Sequence, residues 1–198
     1  MRKVIVFMVF ITLSAGMAIA SSRPEIAPKS VYRQIGAIVS SPSETGWSLV
    51  QANNIGVAFG RQYSTVDETA IANTTIFKVD GFEDDKEFLN YIASQREKQD
   101  DKKRFKILSI SNEQVSFKGT ACLKYRGLSE DHKNKGIDSA EFQYLKTAGY
   151  ICRHPANKSI AFQMEISLRS QEKAFLQELL SIGEGFFNNV QFNDAGLK

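Results

Sequence analysis

Between Ile160 and Arg169 the chain alternates without a break. Ile160, Phe162, Met164, Ile166 and Leu168 fall on one side, and Ala161, Gln163, Glu165, Ser167 and Arg169 on the other. A period of two over this length predicts a strand, Ser159 to Leu168, with one dry face and one wetter face. Strand-like runs precede it at Phe105 to Ser111, Gln114 to Arg126 and Glu141 to Arg153. Nearer the start, Trp47 to Gln51 and Ile55 to Arg61 flank the turn-favouring pair Asn53-Asn54 and read as a hairpin, and the β-branched and aromatic run Ala70 to Val79 reads as a third strand. Two stretches change period. Asp84 and Asp85 stand where a helix N-terminus favours negative charge, ahead of Phe88, Leu89, Tyr91 and Ile92, which predicts a helix from Asp84 into the high nineties. From Gln171 to Asn188, Phe175, Leu179, Ile182 and Phe186 recur at spacings of four, three and four, and Leu176, Leu180 and Phe187 widen the stripe. An apolar band this wide belongs to a helix lying flat on a sheet, with Gly183 and Gly185 allowing close approach. Val190 to Phe192 reads as a last short strand.

The order of elements, three strands, a helix, four strands, a helix and a short strand, predicts a single α+β domain over 46–192. It consists of an antiparallel sheet of about six or seven strands carrying two amphipathic helices. The Trp47-to-Arg61 hairpin, the helix near Asp84 to Arg96, and the closing helix that runs into Phe186-Phe187-Asn188-Asn189-Val190-Gln191-Phe192 resemble the layout of the PsbP/Mog1/DcrB-like fold group over Gly46 to Phe192. That group serves as accessory or binding proteins rather than catalysts, so the resemblance implies a non-enzymatic exported protein. It carries over no functional residue, because fold alone does not imply function.

Residues 1–20 change the picture of compartment. Arg2 and Lys3 open an apolar run from Val4 to Ile19 that closes on Ala18-Ile19-Ala20, the pattern of a secretory signal peptide cleaved after Ala20. No cysteine follows the run to accept a lipid, so the expectation is an exported protein, periplasmic or secreted, soluble and without a membrane span once cleaved. The leader also holds two of the 25 basic residues and none of the 22 acidic ones, leaving 23 against 22, a balance of +1. That excess is too small to indicate nucleic acid or an anionic membrane as a partner. A protein or another envelope component is the expected partner. Residues 21–45, broken by Pro24, Pro28 and Pro42, read as a flexible lead-in in which Val31 to Val39 could add an edge strand, and 193–198 as a polar tail.

Candidate chemistry is sparse. Cys122 and Cys152 lie in neighbouring strand-like runs, and export favours their pairing as a disulfide. The alternatives are two free buried thiols, or a zinc site with His154, which would be one ligand short of a closed structural set. Only His132 and His154 could act as histidine bases. Glu130, Asp131 and His132, in the polar stretch Ser129 to Gly136, are the candidates for a small hydrolase or metal-dependent enzyme. His154 before Pro155 reads as a turn. Tyr125, Tyr144 and Tyr150, with Lys124, Arg126, Lys146 and Arg153, could form a stacking platform, although an alternating exposed face explains them as well. The chain has no Gly-rich phosphate loop, no His-Glu-x-x-His and no Gly-x-Ser-x-Gly. No metal or cofactor is expected. The leading expectation is an accessory or binding protein of the envelope acting through the sheet's open face or the Leu128-to-Ala140 loop. A carrier with an apolar ligand between the second helix and the sheet is a further alternative.

Overall fold

A computed structural model describes residues 23–63, 68–79, 81–96, 98, 102–132, 141–174 and 177–197. The leader at 1–20 lies outside them. In chain order the elements are β1 (Val31–Gln34), β2 (Ala37–Ser40), β3 (Trp47–Asn53), β4 (Gly56–Gln62), β5 (Thr69–Lys78), α1 (Asp85–Arg96), β6 (Phe105–Phe117), β7 (Thr120–Asp131), β8 (Gln143–Arg153), β9 (Ile160–Ser170), α2 (Gln177–Asn189) and β10 (Gln191–Phe192). Seven strands form one antiparallel sheet in the order β3-β4-β5-β9-β8-β7-β6, and a small sheet has the order β1-β2-β10. Over the described residues the molecule is a single α+β domain with two helices.

Alternation along the strands assigns their residues to the two faces of the large sheet. Phe162, Met164, Ile166 and Leu168 of β9 join Phe59, Ala70, Ala72, Tyr150 and Cys152 beneath Leu179, Ile182, Phe186 and Phe187 of α2. Gly183 is where helix and sheet touch: a Cβ there would lie 2.7 Å from Ile166 Cγ2, whereas Gly185 faces open space. On the opposite face Phe88, Leu89 and Ile92 of α1 pack on Leu123, Tyr125, Ile151 and Ala161. Asp84 caps α1, its Oδ1 accepting from the Glu87 N–H at 2.7 Å, while Glu87 reaches back to the Glu83 N–H at 2.8 Å. Arg153 ties the same end to the sheet, donating to the carbonyls of Phe82 and Lys158 and pairing with Asp85.

Four boundaries differ from the sequence reading. The first concerns residues expected as a flexible lead-in. They form β1 and β2, with Ala37 and Val39 fully buried in the α2-side core, and Thr74 Oγ1 donating to Gln34 Oε1 at 2.7 Å. Gly36 at φ 73 turns the chain between them, so the single edge strand considered for Val31 to Val39 is a hairpin. Upstream, Arg23 Nη1 donates to the carbonyls of Leu49 and Val50, and Glu25 bridges Ser48. The second difference is in β6, which does not break near Asn112 but continues to Phe117. The chain reverses at Lys118 (φ 51) and Gly119 (φ 75), the two left-handed residues of a type I′ hairpin. Thirdly, α2 begins at Gln177 rather than Gln171, because β9 runs on to Ser170 and the carbonyls of Glu172 and Ala174 are taken by the Lys146 ammonium. Finally, the tail returns to the small sheet: the N–H of Gly36 donates to Ala195 and the N–H of Asn193 to Gly36, both at 2.9 Å.

Candidate functional site

Beyond the end of α1, the face opposite α2 becomes polar. One register row crosses it: Asn73 on β5, Glu165 on β9, Gly149 on β8, Tyr125 on β7 and Asn112 on β6. Gly149 keeps the middle of the row clear. A Cβ there would stand 2.1 Å from the Met164 carbonyl and 2.9 Å from Tyr125 Oη. Tyr125 therefore lies across the gap and donates to Glu165 Oε2 at 2.8 Å, while Gln163 Nε2 donates to Tyr125 Oη at 3.1 Å. Arg96, the last residue of α1, holds its guanidinium 3.5 Å from the Tyr125 ring centroid, a cation–π contact.

Burial sets the electrostatics of this cluster. It pushes the Glu165 carboxyl above the usual carboxylate range, against the pull of the Arg96 charge and of hydrogen bonds from Tyr125, Asn73 and Gln163. Burial, and then the Glu165 charge, push the Tyr125 phenol well above its ordinary value, so it remains a donor. Ile71, Asn73, Thr75, Gln163, Glu165 and Ser167 on this face are all half-buried, while their α2-facing neighbours Ala72, Thr74, Met164 and Ile166 are buried. At the far end of the strip Asp131, fully buried, accepts from Arg104 Nε at 2.7 Å and Nη2 at 2.9 Å, with Arg169 Nε 2.8 Å from its Oδ2. This network links β7 to β9 and to the chain entering β6.

Of the sequence candidates, Glu130 and His132 meet, and Asp131 does not join them. Asp131 faces the Arg pair, whereas Glu130 and His132, one residue to either side, lean to the other face, as strand alternation requires. There Glu130 Oε2 lies 3.2 Å from both His132 Nε2 and Lys106 Nζ, and the buried His132 ring packs 5.2 Å from that of Phe142. The rest of the candidate loop, residues 133–140, lies outside the described residues. His154 is buried and structural. Its Nδ1 accepts from the Ala156 N–H, so the proton sits on Nε2, which donates to the Gly36 carbonyl at 2.8 Å. Cys122 and Cys152 face each other across β7 and β8 and form a disulfide, which removes both from any zinc site. Among the described residues no group of three or more His, Cys, Asp or Glu is placed to hold a metal ion.

Tyr125 and Tyr150 lie on opposite faces, the latter stacked on Phe117 and edge-on to Phe187, so the tyrosines make no common platform. Between α2 and the sheet, where an apolar ligand was suggested, Phe186 meets Phe59 edge-on and Gly183 closely approaches Ile166. Sequence reasoning placed Lys146 only beside a tyrosine platform and passed over Ser170. Lys146 Nζ donates to Ser170 Oγ at 2.7 Å, a pairing known from Ser–Lys nucleophiles, and burial pulls the Lys146 pKa down. Its remaining donors go to the carbonyls of Glu172 and Ala174, and Ser170 itself donates to Glu172. Both residues are fully buried, and together they staple the β9–α2 connection.

No protein-family model matches the chain, and no curated protein matches it. Solved structures do. The Ran-binding protein Mog1p of Saccharomyces cerevisiae is similar at 11% identity and TM-score 0.50, over 88% of this chain and 97% of that one. LpqN of Mycobacterium tuberculosis, described as involved in cell envelope biogenesis, matches at 11% identity and TM-score 0.45, over 87% and 92% of the two chains. A Synechocystis PsbP, CyanoP, matches at 11% identity and TM-score 0.38, over 90% and 96%. The Mog1p match shows that the protein shares the fold of Mog1p, one of the group its element order resembles. At this level of identity the likeness is one of fold alone. Among the described residues no helix is long and apolar enough to cross a membrane.

Proposed function

We propose that the protein is a non-enzymatic binding module of the cell envelope, exported by its leader, that holds a protein or envelope component on the open sheet face. The observation that carries this reading is the unequal cover of the sheet. The face under α2 is dry, while the other is dry only beneath α1 and presents half-buried Ile71, Asn73, Thr75, Gln163, Glu165 and Ser167 beside it. Such a surface, part apolar and part hydrogen-bonding, suits a polar partner of moderate affinity. The leader pattern and the disulfide support an oxidising compartment. A photo-crosslinking amino acid at Ser167, on the open face, is expected to give a discrete adduct in the native host's envelope fraction. The same residue at exposed Ser181 on α2 is expected to give none. Equal labelling at both positions, or a chain that keeps residues 1–20 and stays in the cytoplasm, would sink the reading.

A further inference from the structure

Four buried side-chain atoms without a hydrogen-bond partner among the described residues, Glu44 Oε2, Trp47 Nε1, Arg61 Nη1 and Tyr63 Oη, gather where the β3–β4 ribbon meets the start of α2. Trp47 and Arg61 are direct cross-strand neighbours, so their side chains leave the same side of the sheet. The Arg61 guanidinium lies 4.8 Å from the Tyr63 ring centroid, and Glu178, in the first turn of α2, stands 4.0 Å from Arg61 Nη1, beyond hydrogen-bond reach. Burial, and the charges of Glu178, Glu68 and Glu44 against that of Arg61, hold the Tyr63 phenol above its ordinary pKa. Native proteins leave few buried polar groups unpaired, so four in one corner form a set of demands that asks for a ligand.

Those demands are mixed in kind. The indole and guanidinium only donate, the carboxylate only accepts, and the phenol does both. A phosphate or carboxylate ligand offers acceptors alone: it would leave Glu44 unmet and face the charges of Glu68 and Glu178. An amine offers donors alone and would leave Trp47 and Arg61 unmet. A hydroxyl donates and accepts through one uncharged oxygen, and several on one small molecule answer the whole set. We infer that this corner is a binding site for a neutral polyhydroxylated molecule, a saccharide unit. Trp47 and Arg61 donate to its oxygens, Glu44 accepts from a hydroxyl, and Tyr63 serves in either sense. Trp47, 1% exposed, forms the floor. Arg61 keeps 22% of its side chain exposed.

Trp47 is the only tryptophan of the chain, so its indole N–H gives one resonance in a nitrogen–proton correlation spectrum of the disulfide-intact exported protein. Titration with glucose or N-acetylglucosamine is expected to shift that resonance saturably. Tyr63→Phe is expected to weaken the binding about three- to tenfold without moving the unfolding midpoint by more than a few degrees. A resonance that follows sodium phosphate or glycine and ignores the sugars overturns the proposal. So does one that no probe moves, or an affinity indifferent to Tyr63→Phe. The site is independent of the open face, because Ser167 crosslinking and the Trp47 titration report on opposite sides of the sheet.

Discussion

The two faces of the seven-stranded sheet are built from the same strands yet differ in how they are closed. Each helix is too short to roof the sheet. At 12 and 13 residues, α1 and α2 are about 18–20 Å long, against roughly 29 Å across seven strands. On the α2 side the shortfall is made up by the small sheet, whose Ala37 and Val39, with Val190 beside β10, belong to the same core as Phe162 and Met164. Among the described residues nothing comparable extends α1. Beyond Arg96 its face continues as Tyr125, Gln163 and Glu165, whose polar atoms satisfy one another instead of being covered. Cover thus depends on which accessory segments join a helix more than on the helix itself, and the face that recruits none among the described residues is left available.

Removing a roof side chain should have the largest effect. Phe186 is buried against Phe59 and Phe187, and Phe186→Ala is expected to lower unfolding free energy by about 3–5 kcal/mol in urea. A cost below about 1 kcal/mol would mean that the two faces are not as different as they look. Tyr125→Phe, on the open face, keeps the ring under Arg96 and deletes the donor to Glu165 together with the acceptor for Gln163. It should cost about 1–3 kcal/mol, and that cost should shrink in a Glu165→Gln background if the two groups act as a pair.

The smallest expected effect concerns pH. The Glu165 carboxyl sits above its ordinary value of 4.5, so the folded protein keeps that proton where the unfolded chain has lost it. Its contribution to stability is complete below that ordinary value and declines as pH rises through the window above it. Glu165→Gln should flatten this decline between about pH 4 and 7 in thermal melts. An identical slope in the two proteins would remove Glu165 from the account.

What the sequence disclosed follows the range of the interactions involved. The alternation of β9, the Asp84 cap and the α2 stripe from Leu179 to Phe187 are local patterns, and each appears where the spacing placed it, while Phe175 and Leu176 lie outside the described residues. Lys118-Gly119 was equally local, but the reading set the break near Asn112, where an extended chain simply continues in register with Tyr125 and Lys124. Three prolines made residues 21–45 look loose, although Ala37 and Val39 already alternated. Only contact with residues far along the chain, Thr74 with Gln34 and Gly36 with Ala195, makes that segment part of the core. The candidate site was less legible still. Glu130, Asp131 and His132 are consecutive, and strand alternation separates Asp131 from the other two, whereas the Tyr125–Glu165 pair spans 40 residues and depends on a glycine in a third strand. The start of α2 was misplaced because Lys146, 26 residues from Glu172, claims carbonyls that a longer helix would have used.

The few residues that follow the expected cleavage point settle what becomes of β3. This strand ends the sheet, and a bare sheet edge offers its backbone groups to any other extended chain. Arg23 occupies the carbonyls of Leu49 and Val50, Glu25 takes the Gly46 N–H and bridges Ser48, and Ile26 donates to the Trp47 carbonyl. A mature chain beginning at Ser21 carries this seal with only two residues to spare. One trimmed to Gly46, where composition alone would start the domain, forfeits both the seal and the strands behind it. For such a product the foreseeable fate is self-association along β3, and where the chain is cut becomes a question of aggregation.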